Sequence, residues 1–220
     1  MRPVLILRPE PGASATAARA LAMGLTVVVR PLFETRAMAW TAPPAAGFDA
    51  LLLTSANAVR LGGADLSAYR HLPVFAVGEA SAEAARQAGF ATVIAGQSDA
   101  AATIAAAEAA GCRKMLHLAG RDRIDLGDTP FRVETIVVYA SDLVVAPQTP
   151  ENTVALLHSV RAARRFAEVT EHKSRTAIVT ISRKVADAAG PGWQSVTTAD
   201  EPQDAAMLAL AAGLCEKQAE

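Results

Sequence analysis

Short runs of apolar residues recur along the chain and alternate with longer segments rich in alanine. The first run, VLIL at residues 4–7, is followed by an alanine-rich segment at 14–23, which Gly24 ends. Strands buried on both faces of a parallel sheet have continuous apolar sequences, and helices join them. The pattern therefore predicts an α/β fold. Further strands are predicted at residues 25–29, 49–55, 115–118 and 134–139, and another set of strands and helices from residue 154 onward.

An internal near-repeat suggests that this pattern occurs twice. The sequence ALLLTS at residues 50–55 resembles VALLHS at residues 154–159, which lies 104 positions later. The repeat predicts two similar α/β domains. Chance similarity between alanine-rich helices is the alternative. Three further pairs of positions keep the spacing within one residue, namely Val77 with Ile181, Val93 with Val196, and Asp99 with Asp204.

The first strand–helix–strand segment is too short to fold alone, so it is predicted to join the last part of the chain. The first domain would then be discontinuous, with residues 1–32 and 146–220, and the second domain, residues 39–132, would be inserted in it. Residues 33–38 and 133–145 are predicted as linkers that pair in a two-stranded β-connection. Narrow connections of this kind allow hinge motion, which directs attention to a ligand cleft between the domains.

Composition and charge narrow the function classes. Hydrophobic residues make up 51% of the chain and charged residues 20%, and 21 basic against 22 acidic side chains leave a net charge of −1. This balance argues against a nucleic-acid binder that depends on a basic surface. Apolar runs are too short for a signal peptide or a membrane span, and Cys112 and Cys215 form no CxxC pair. We therefore predict a soluble cytoplasmic protein with reduced cysteines.

Several standard catalytic and binding motifs are absent. The sequence contains no GxxxxGK[ST], GxGxxG, HExxH or GxSxG motif. A nucleotide-binding α/β protein would need such a phosphate-binding loop. The four histidines have no metal-ligand spacing, so no metal site is predicted. They are His71, His117, His158 and His172.

Small polar residues instead occupy the predicted strand-to-helix turns. Ser55 and Ser159 follow two apolar runs, and residues 78–81 and Ser182 follow two others. In an open parallel sheet, ligands bind beyond the carboxyl ends of the strands, where helix N-termini favour anions. The alternative role for each serine is helix capping, which stabilises a helix by about 1 kcal/mol. Capping leaves other amides free, so the two roles are compatible.

An ordered set of segments resembles the uroporphyrinogen-III synthase family. They are LILRP at 5–9, DALLLTSANAV at 49–59, AVGEAS at 76–81, LHLAGR at 116–121 and VVY at 137–139. The resemblance spans nearly the whole chain. It implies a cofactor-free, monomeric enzyme with two flavodoxin-like domains and a discontinuous first domain. The implied substrate is hydroxymethylbilane, a linear tetrapyrrole with eight carboxylates, which the enzyme closes with inversion of ring D and loss of water.

The resemblance also assigns roles to individual residues. Tyr139 stands at the position of the family's functional tyrosine, and its hydroxyl can donate a proton to the leaving hydroxyl group at neutral pH. Packing of a strand aromatic is the alternative role. The predicted carboxylate-binding residues are Ser55, Ala56, Asn57, Ser81, Ser159, Val160 and Ser182, which offer amides or hydroxyls, and Arg8, Arg121 and Arg123, which offer guanidinium groups.

Two departures and one alternative accompany these assignments. Ser81 and His158 stand where threonine is common in the family. The arginines have an ordinary surface role as their alternative. A two-lobed anion-binding or regulatory protein with the same fold and no catalysis is the alternative function, and the presence of Tyr139 favours the enzyme.

Overall fold

The computed structural model describes residues 2–96, 99–123, 125–145 and 150–216, and the chain forms two compact units. The first unit contains Met1–Glu34 and Leu143–Glu220, and the second contains Thr35–Asp142. The described strands and helices, in chain order, are β1 (Val4–Ile6), α1 (Gly12–Ala22), β2 (Val27–Val29), β3 (Phe33–Ala37), β4 (Ala50–Leu53), α2 (Ala56–Leu61), β5 (Val74–Ala76), α3 (Glu79–Gln87), β6 (Val93–Ala95), α4 (Ala100–Ala109), β7 (Lys114–Gly120), β8 (Arg132–Leu143), β9 (Val154–Leu157), α5 (Val160–Val169), β10 (Ala177–Thr180), α6 (Arg183–Ala189), β11 (Ser195–Thr198) and α7 (Asp204–Glu216).

The first unit is built on a parallel sheet with the strand order β2-β1-β9-β10-β11. Its central strands β1 and β9 are apolar throughout, and both faces of these strands are buried. In β1, Val4 and Ile6 pack in one core layer with residues of α1 and α7, whereas Leu5 packs in the other layer with residues of α5 and α6. This two-sided burial explains why the strand reads as a continuous apolar run.

The second unit has six strands in the order β3-β8-β7-β4-β5-β6. The five strands from β8 to β6 are parallel. In β4, Leu51 and Leu53 pack in the core layer with α2 and α3, and Leu52 packs in the opposite layer with a residue of α4. At the edge, β3 is antiparallel to β8: the Met38 amide donates to the Val138 carbonyl at 2.8 Å.

The near-repeat corresponds to the same succession of elements in both units. Three strand–helix pairs, β4-α2-β5-α3-β6-α4 and β9-α5-β10-α6-β11-α7, place their strands side by side in sequence order. Two more parallel strands complete each sheet, β7 and β8 in the second unit and β1 and β2 in the first. The parallel strands therefore have the same spatial arrangement, although the chain visits them in a different order.

One connection differs between the units. α1 joins β1 to β2 in the first unit, but residues 121–131, which join β7 to β8, contain no helix among their described positions. We call residues 121–131 the β7–β8 crossover; Ile124 within it lies outside the described residues. Among the described helices, none has both the length and the apolar composition needed to cross a membrane.

The strand β8 extends through most of the predicted linker 133–145. Its first part pairs with β7 from Lys114↔Arg132 to Gly120↔Tyr139, so it belongs to the second sheet. The Val144 amide, one residue past the strand, donates to the Leu32 carbonyl at 3.1 Å. The segment therefore has regular strand pairing over most of its length.

Candidate functional site

The strand order of each sheet reverses at one point, and predicted site residues lie there. In the second unit this point is between β4 and β7, which pair from Ala50↔Met115 to Leu53↔Leu118. Ser55 comes two residues after β4, and Gly120 ends β7. Ligands of doubly wound α/β proteins bind at this switch point, beyond the carboxyl ends of the strands.

Ser55 begins the helix at this switch point. It is the N-cap of α2, with extended backbone, and its Oγ accepts a hydrogen bond from the Asn57 amide at 3.2 Å. Ser55, Ala56 and Asn57 are all half-buried, so this turn faces solvent in part. Ser55 therefore has the capping role that the sequence offers as one of its two roles.

Tyr139 lies across Gly120 at the same end of the sheet. A Cβ atom placed on Gly120 would be 2.6 Å from Tyr139 Cζ and 2.8 Å from its hydroxyl oxygen. The Arg121 amide donates to the Tyr139 carbonyl at 2.9 Å, which fixes the backbone of the tyrosine beside the end of β7. The ring is half-buried against the core layer of Leu53 and Leu118. Only glycine at position 120 lets the phenol occupy this place.

The turn after β5 is less favourable to the predicted contacts. Gly78 is the N-cap of α3 and has φ +82°, a conformation that glycine adopts without strain. Ser81, in the first turn of α3, is only 4% exposed. Only a small part of Ser81 is therefore accessible to a ligand.

In the first unit, the switch point is between β1 and β9. Arg8 comes two residues after β1, and Ser159 comes two residues after β9, where it is the N-cap of α5. Ser159 Oγ accepts from the Ala162 amide at 3.1 Å, and Val160 is the first residue of the helix. Ser182 begins α6 beside the neighbouring strand β10 and makes no side-chain capping bond. Three of the four predicted residues of this unit thus lie at its switch point.

A half-buried carboxylate that sequence reasoning missed lies beside Arg8. Asp204 is 14% exposed, and Thr16 Oγ1 donates to its Oδ1 at 2.9 Å. His158 Nε2 lies 2.9 Å from Oδ1, and Arg19 Nη1 lies 2.8 Å from Oδ2. Burial opposes ionisation of Asp204, but hydrogen bonds from His158, Thr16 and Arg19 outweigh burial and hold its pKa well below the ordinary value.

Arg8 is part of this cluster rather than a free cation. Its Nη1 donates to Thr16 Oγ1 at 3.3 Å and lies 3.5 Å from Asp204 Oδ1. The sequence contains a signal for the cluster, because His158 departs from the family's usual threonine. Its partner could not be found from spacing, since Asp204 is 46 residues away.

Arg121 and Arg123 line a cavity under the β7–β8 crossover. The cavity also contacts His117 and Thr135, which belong to the face of the sheet opposite Tyr139. Burial, and secondarily the positive charge of Arg123, lower the pKa of His117 to about 4. The imidazole is therefore neutral at pH 7. In the part of the chain that the structure describes, no group of His, Cys, Asp or Glu residues is arranged to hold a metal ion.

Two comparisons with known proteins give matches for this chain. The family model of uroporphyrinogen-III synthase HemD matches residues 14–209. Among solved structures, uroporphyrinogen-III synthetase from Helicobacter pylori is similar with a TM-score of 0.71 and 19% identity, covering 97% of this chain and 100% of that one. A mutant uroporphyrinogen III synthase from Thermus thermophilus is similar with a TM-score of 0.57 and 15% identity, covering 98% and 100%. No protein of curated function gives a significant match.

The two kinds of match carry different information. At 15–19% identity, the solved structures show that the α/β fold with parallel sheets is shared. The family model covers well over half of the sequence and includes Ser55, Tyr139 and Ser159, whereas Arg8 precedes it. The resemblance found in the sequence is confirmed, and the chain belongs to the uroporphyrinogen-III synthase family.

Proposed function

We propose that this lyase closes hydroxymethylbilane to uroporphyrinogen III at the carboxyl ends of its parallel strands, without a cofactor. Family membership supports the reaction. The position of the Tyr139 phenol against Gly120, at the end of the strand that pairs with β4, is the observation that carries the site. The phenol can donate a proton where the neighbouring amides can hold an acidic substrate.

The first step is loss of the terminal hydroxyl group. The C–O bond breaks as Tyr139 gives its proton to the hydroxyl, which leaves as water. The phenolate that remains balances the positive charge of the electrophilic azafulvenium ion. In solution this species closes to the wrong isomer. The enzyme holds the chain curled so that the substituted carbon of the last ring attacks the azafulvenium carbon and forms a spiro intermediate. The bond from that carbon to its original bridging methylene then breaks, and the methylene bonds to the free α-carbon of the same ring. The proton displaced there returns to the Tyr139 phenolate, and the ring is left inverted. Positioning and exclusion of water are therefore the main catalytic tasks.

Each unit offers proposed partners for the substrate's carboxylates. In the second unit, the amides around Ser55, Ala56 and Asn57 are the proposed partners. In the first unit, they are the amides around Ser159 and Val160 with the Arg8 guanidinium, which can pair with a carboxylate by two hydrogen bonds. The hydroxyls of Ser81 and Ser182, and the guanidinium groups of Arg121 and Arg123, complete the proposed set.

The proposal also includes the domain organisation of the chain. We propose two flavodoxin-like domains, with residues 1–32 and 146–220 in the first and residues 39–132 in the second. The antiparallel pairing of β3 with β8 supports a two-stranded connection at 33–38 and 133–145. Residues 146–149 lie outside the described residues. We propose that the protein is a cytoplasmic monomer.

The reaction product tests the proposed function directly. The chain is supplied with hydroxymethylbilane, and the oxidised products are separated by isomer. We expect isomer III, with only isomer I in an enzyme-free control. Formation of isomer I alone in the presence of the protein would reject the assignment.

Replacing Tyr139 by phenylalanine is expected to lower kcat at least tenfold with little change in melting temperature, because it removes only the proton donor. Replacing Gly120 by alanine is expected to lower kcat similarly, because the new Cβ displaces the phenol. The rates are measured by isomer III formation.

A double variant with Gly120→Ala and Tyr139→Phe separates the roles of the two residues. If Gly120 acts by positioning the Tyr139 hydroxyl, alanine at position 120 should reduce kcat in the wild type but add less than twofold to the loss in the phenylalanine variant. Unchanged activity of the Tyr139→Phe variant removes the tyrosine from the mechanism.

A further inference from the structure

The β7–β8 crossover leaves a cavity where the other unit has a helix. In the first unit, α1 joins the corresponding strands and packs through Ala13 and Ala20 on the sheet. In the second unit the crossover has no described helix, and a cavity of about 480 Å³ lies between it and the sheet. This volume is within the range of small-molecule sites.

The floor of the cavity is polar, although the strands beneath it are otherwise apolar on this face. His117 and Thr135 are register partners on β7 and β8, two residues beyond Met115 and Val133 of the core layer. His117 is 1% exposed; its Nε2 lies 3.0 Å from Thr54 Oγ1, and its Nδ1 lies 3.3 Å from Thr135 Oγ1. The ring is thus held between two hydroxyls, and Thr135 is exposed toward solvent.

Two arginines line the cavity, and among the described residues only one of them is paired with a carboxylate. The Arg121 guanidinium is paired with the Asp142 carboxylate. Within the described residues, no carboxylate lies within 4 Å of the Arg123 guanidinium, which donates to the Arg121 carbonyl at 3.4 Å. Asp125 lies at the rim shared with a second cavity beside α4, and its Oδ1 accepts from the Gly127 amide. Arg123, an exposed residue, is the charged group that acts on the buried His117.

We propose that this cavity binds a carboxylate group, with Arg123 as the charged partner and Thr135 as a hydroxyl donor. A guanidinium without a counter-ion, beside a polar floor, matches the geometry of a carboxylate. The carboxylate belongs either to a small free acid or to one of the substrate's side chains. In the second case the inference rests on the proposed function.

The first experiment uses citrate as the probe with the full chain. Calorimetry is expected to show citrate binding to the wild type and at least tenfold weaker binding to the Arg123→Gln variant. Arg70→Gln is the matched control, because it removes the same charge from an exposed arginine of the same unit. NMR of the histidine Cε1–H groups, with His117 assigned by a His117→Gln variant, should show that bound citrate raises the pKa of His117 by offsetting the Arg123 charge.

The second experiment measures the KM for hydroxymethylbilane. A KM raised at least fivefold in Arg123→Gln, with kcat unchanged, assigns the carboxylate to the substrate; citrate binding with an unchanged KM assigns it to a free acid. The proposal is overturned if Arg123→Gln alters neither citrate affinity nor KM, or if citrate binds without moving the pKa of His117. Isomer III formation by the wild type tests the proposed function separately.

Discussion

Replacing Asp204 by alanine is expected to lower the free energy of unfolding of the first unit by about 3 kcal/mol at pH 7. The substitution leaves His158, Thr16 and Arg19 without the carboxylate that each of them contacts. His158 is only 9% exposed, so water cannot replace the lost partner freely. Removal of one member of a buried charged cluster costs about 3–5 kcal/mol, and the exposure of Arg19 places this site at the lower end.

The two tryptophans make the measurement specific to one unit. Trp193 stacks on Phe166 in the first unit with ring centroids 5.1 Å apart, and Trp40 packs near Tyr69 in the second. A Trp40→Phe background leaves Trp193 fluorescence as the probe of urea unfolding. Asp187→Ala is the matched control, because Asp187 pairs with Arg183 at 3.1 Å on the exposed surface of α6 and should cost less than about 0.5 kcal/mol.

The pH dependence of this difference has a definite sign. The pKa of Asp204 is lower in the folded state than in the unfolded chain, so its stabilising contribution is complete above the unfolded carboxyl pKa of about 3.9 and is lost as pH falls further. The deficit of the Asp204→Ala variant should therefore shrink as the pH falls below about 4. Equal losses for Asp204→Ala and Asp187→Ala at pH 7 would contradict the cluster's role.

The strands and the repeat were predictable because each depends on residues close together in sequence. The run at residues 4–7 predicts β1, and the spacing of 50–55 from 154–159 predicts the strand–helix succession that both sheets share. The strand predicted at 25–29 is shorter in the structure, Val27–Val29, because the chain reverses at Gly24 and only three residues pair with β1. The local sequence pattern thus identifies the strand, whereas its pairing with the neighbouring strand determines where it begins and ends.

The serines at the helix starts were predicted from their position after apolar runs, and Ser55 and Ser159 are N-caps.

Other features could not be predicted because they depend on contacts between distant residues. The cluster around Asp204 requires elements from both ends of the first unit. The close approach of Tyr139 to Gly120 depends on the register of β7 with β8, including the shift after Ala119, which no composition rule supplies.

Acid is expected to destabilise the second unit through His117, by about 2 kcal/mol between pH 7 and pH 5. Burial lowers the pKa of His117 to about 4, whereas a histidine in the unfolded chain has a pKa of about 6.5. Between these two pKa values, the unfolded chain binds a proton at this histidine and the folded unit does not. The free energy of unfolding therefore has its full value above about pH 6.5 and falls as pH approaches 4. The cost arises because protonation would place a charge in a site that is 1% exposed and already faces the Arg123 charge.

Urea unfolding of a Trp193→Phe background, followed by Trp40 fluorescence, reports this unit at both pH values. A His117→Gln variant should lose most of the acid-dependent change, because glutamine does not titrate and can still bond the hydroxyls of Thr54 and Thr135. His71→Gln is the matched control, since His71 is an exposed histidine of the same unit, and it should retain the full acid loss. If His117→Gln and His71→Gln show the same loss between pH 7 and pH 5, His117 is not the group that makes the second unit acid-sensitive.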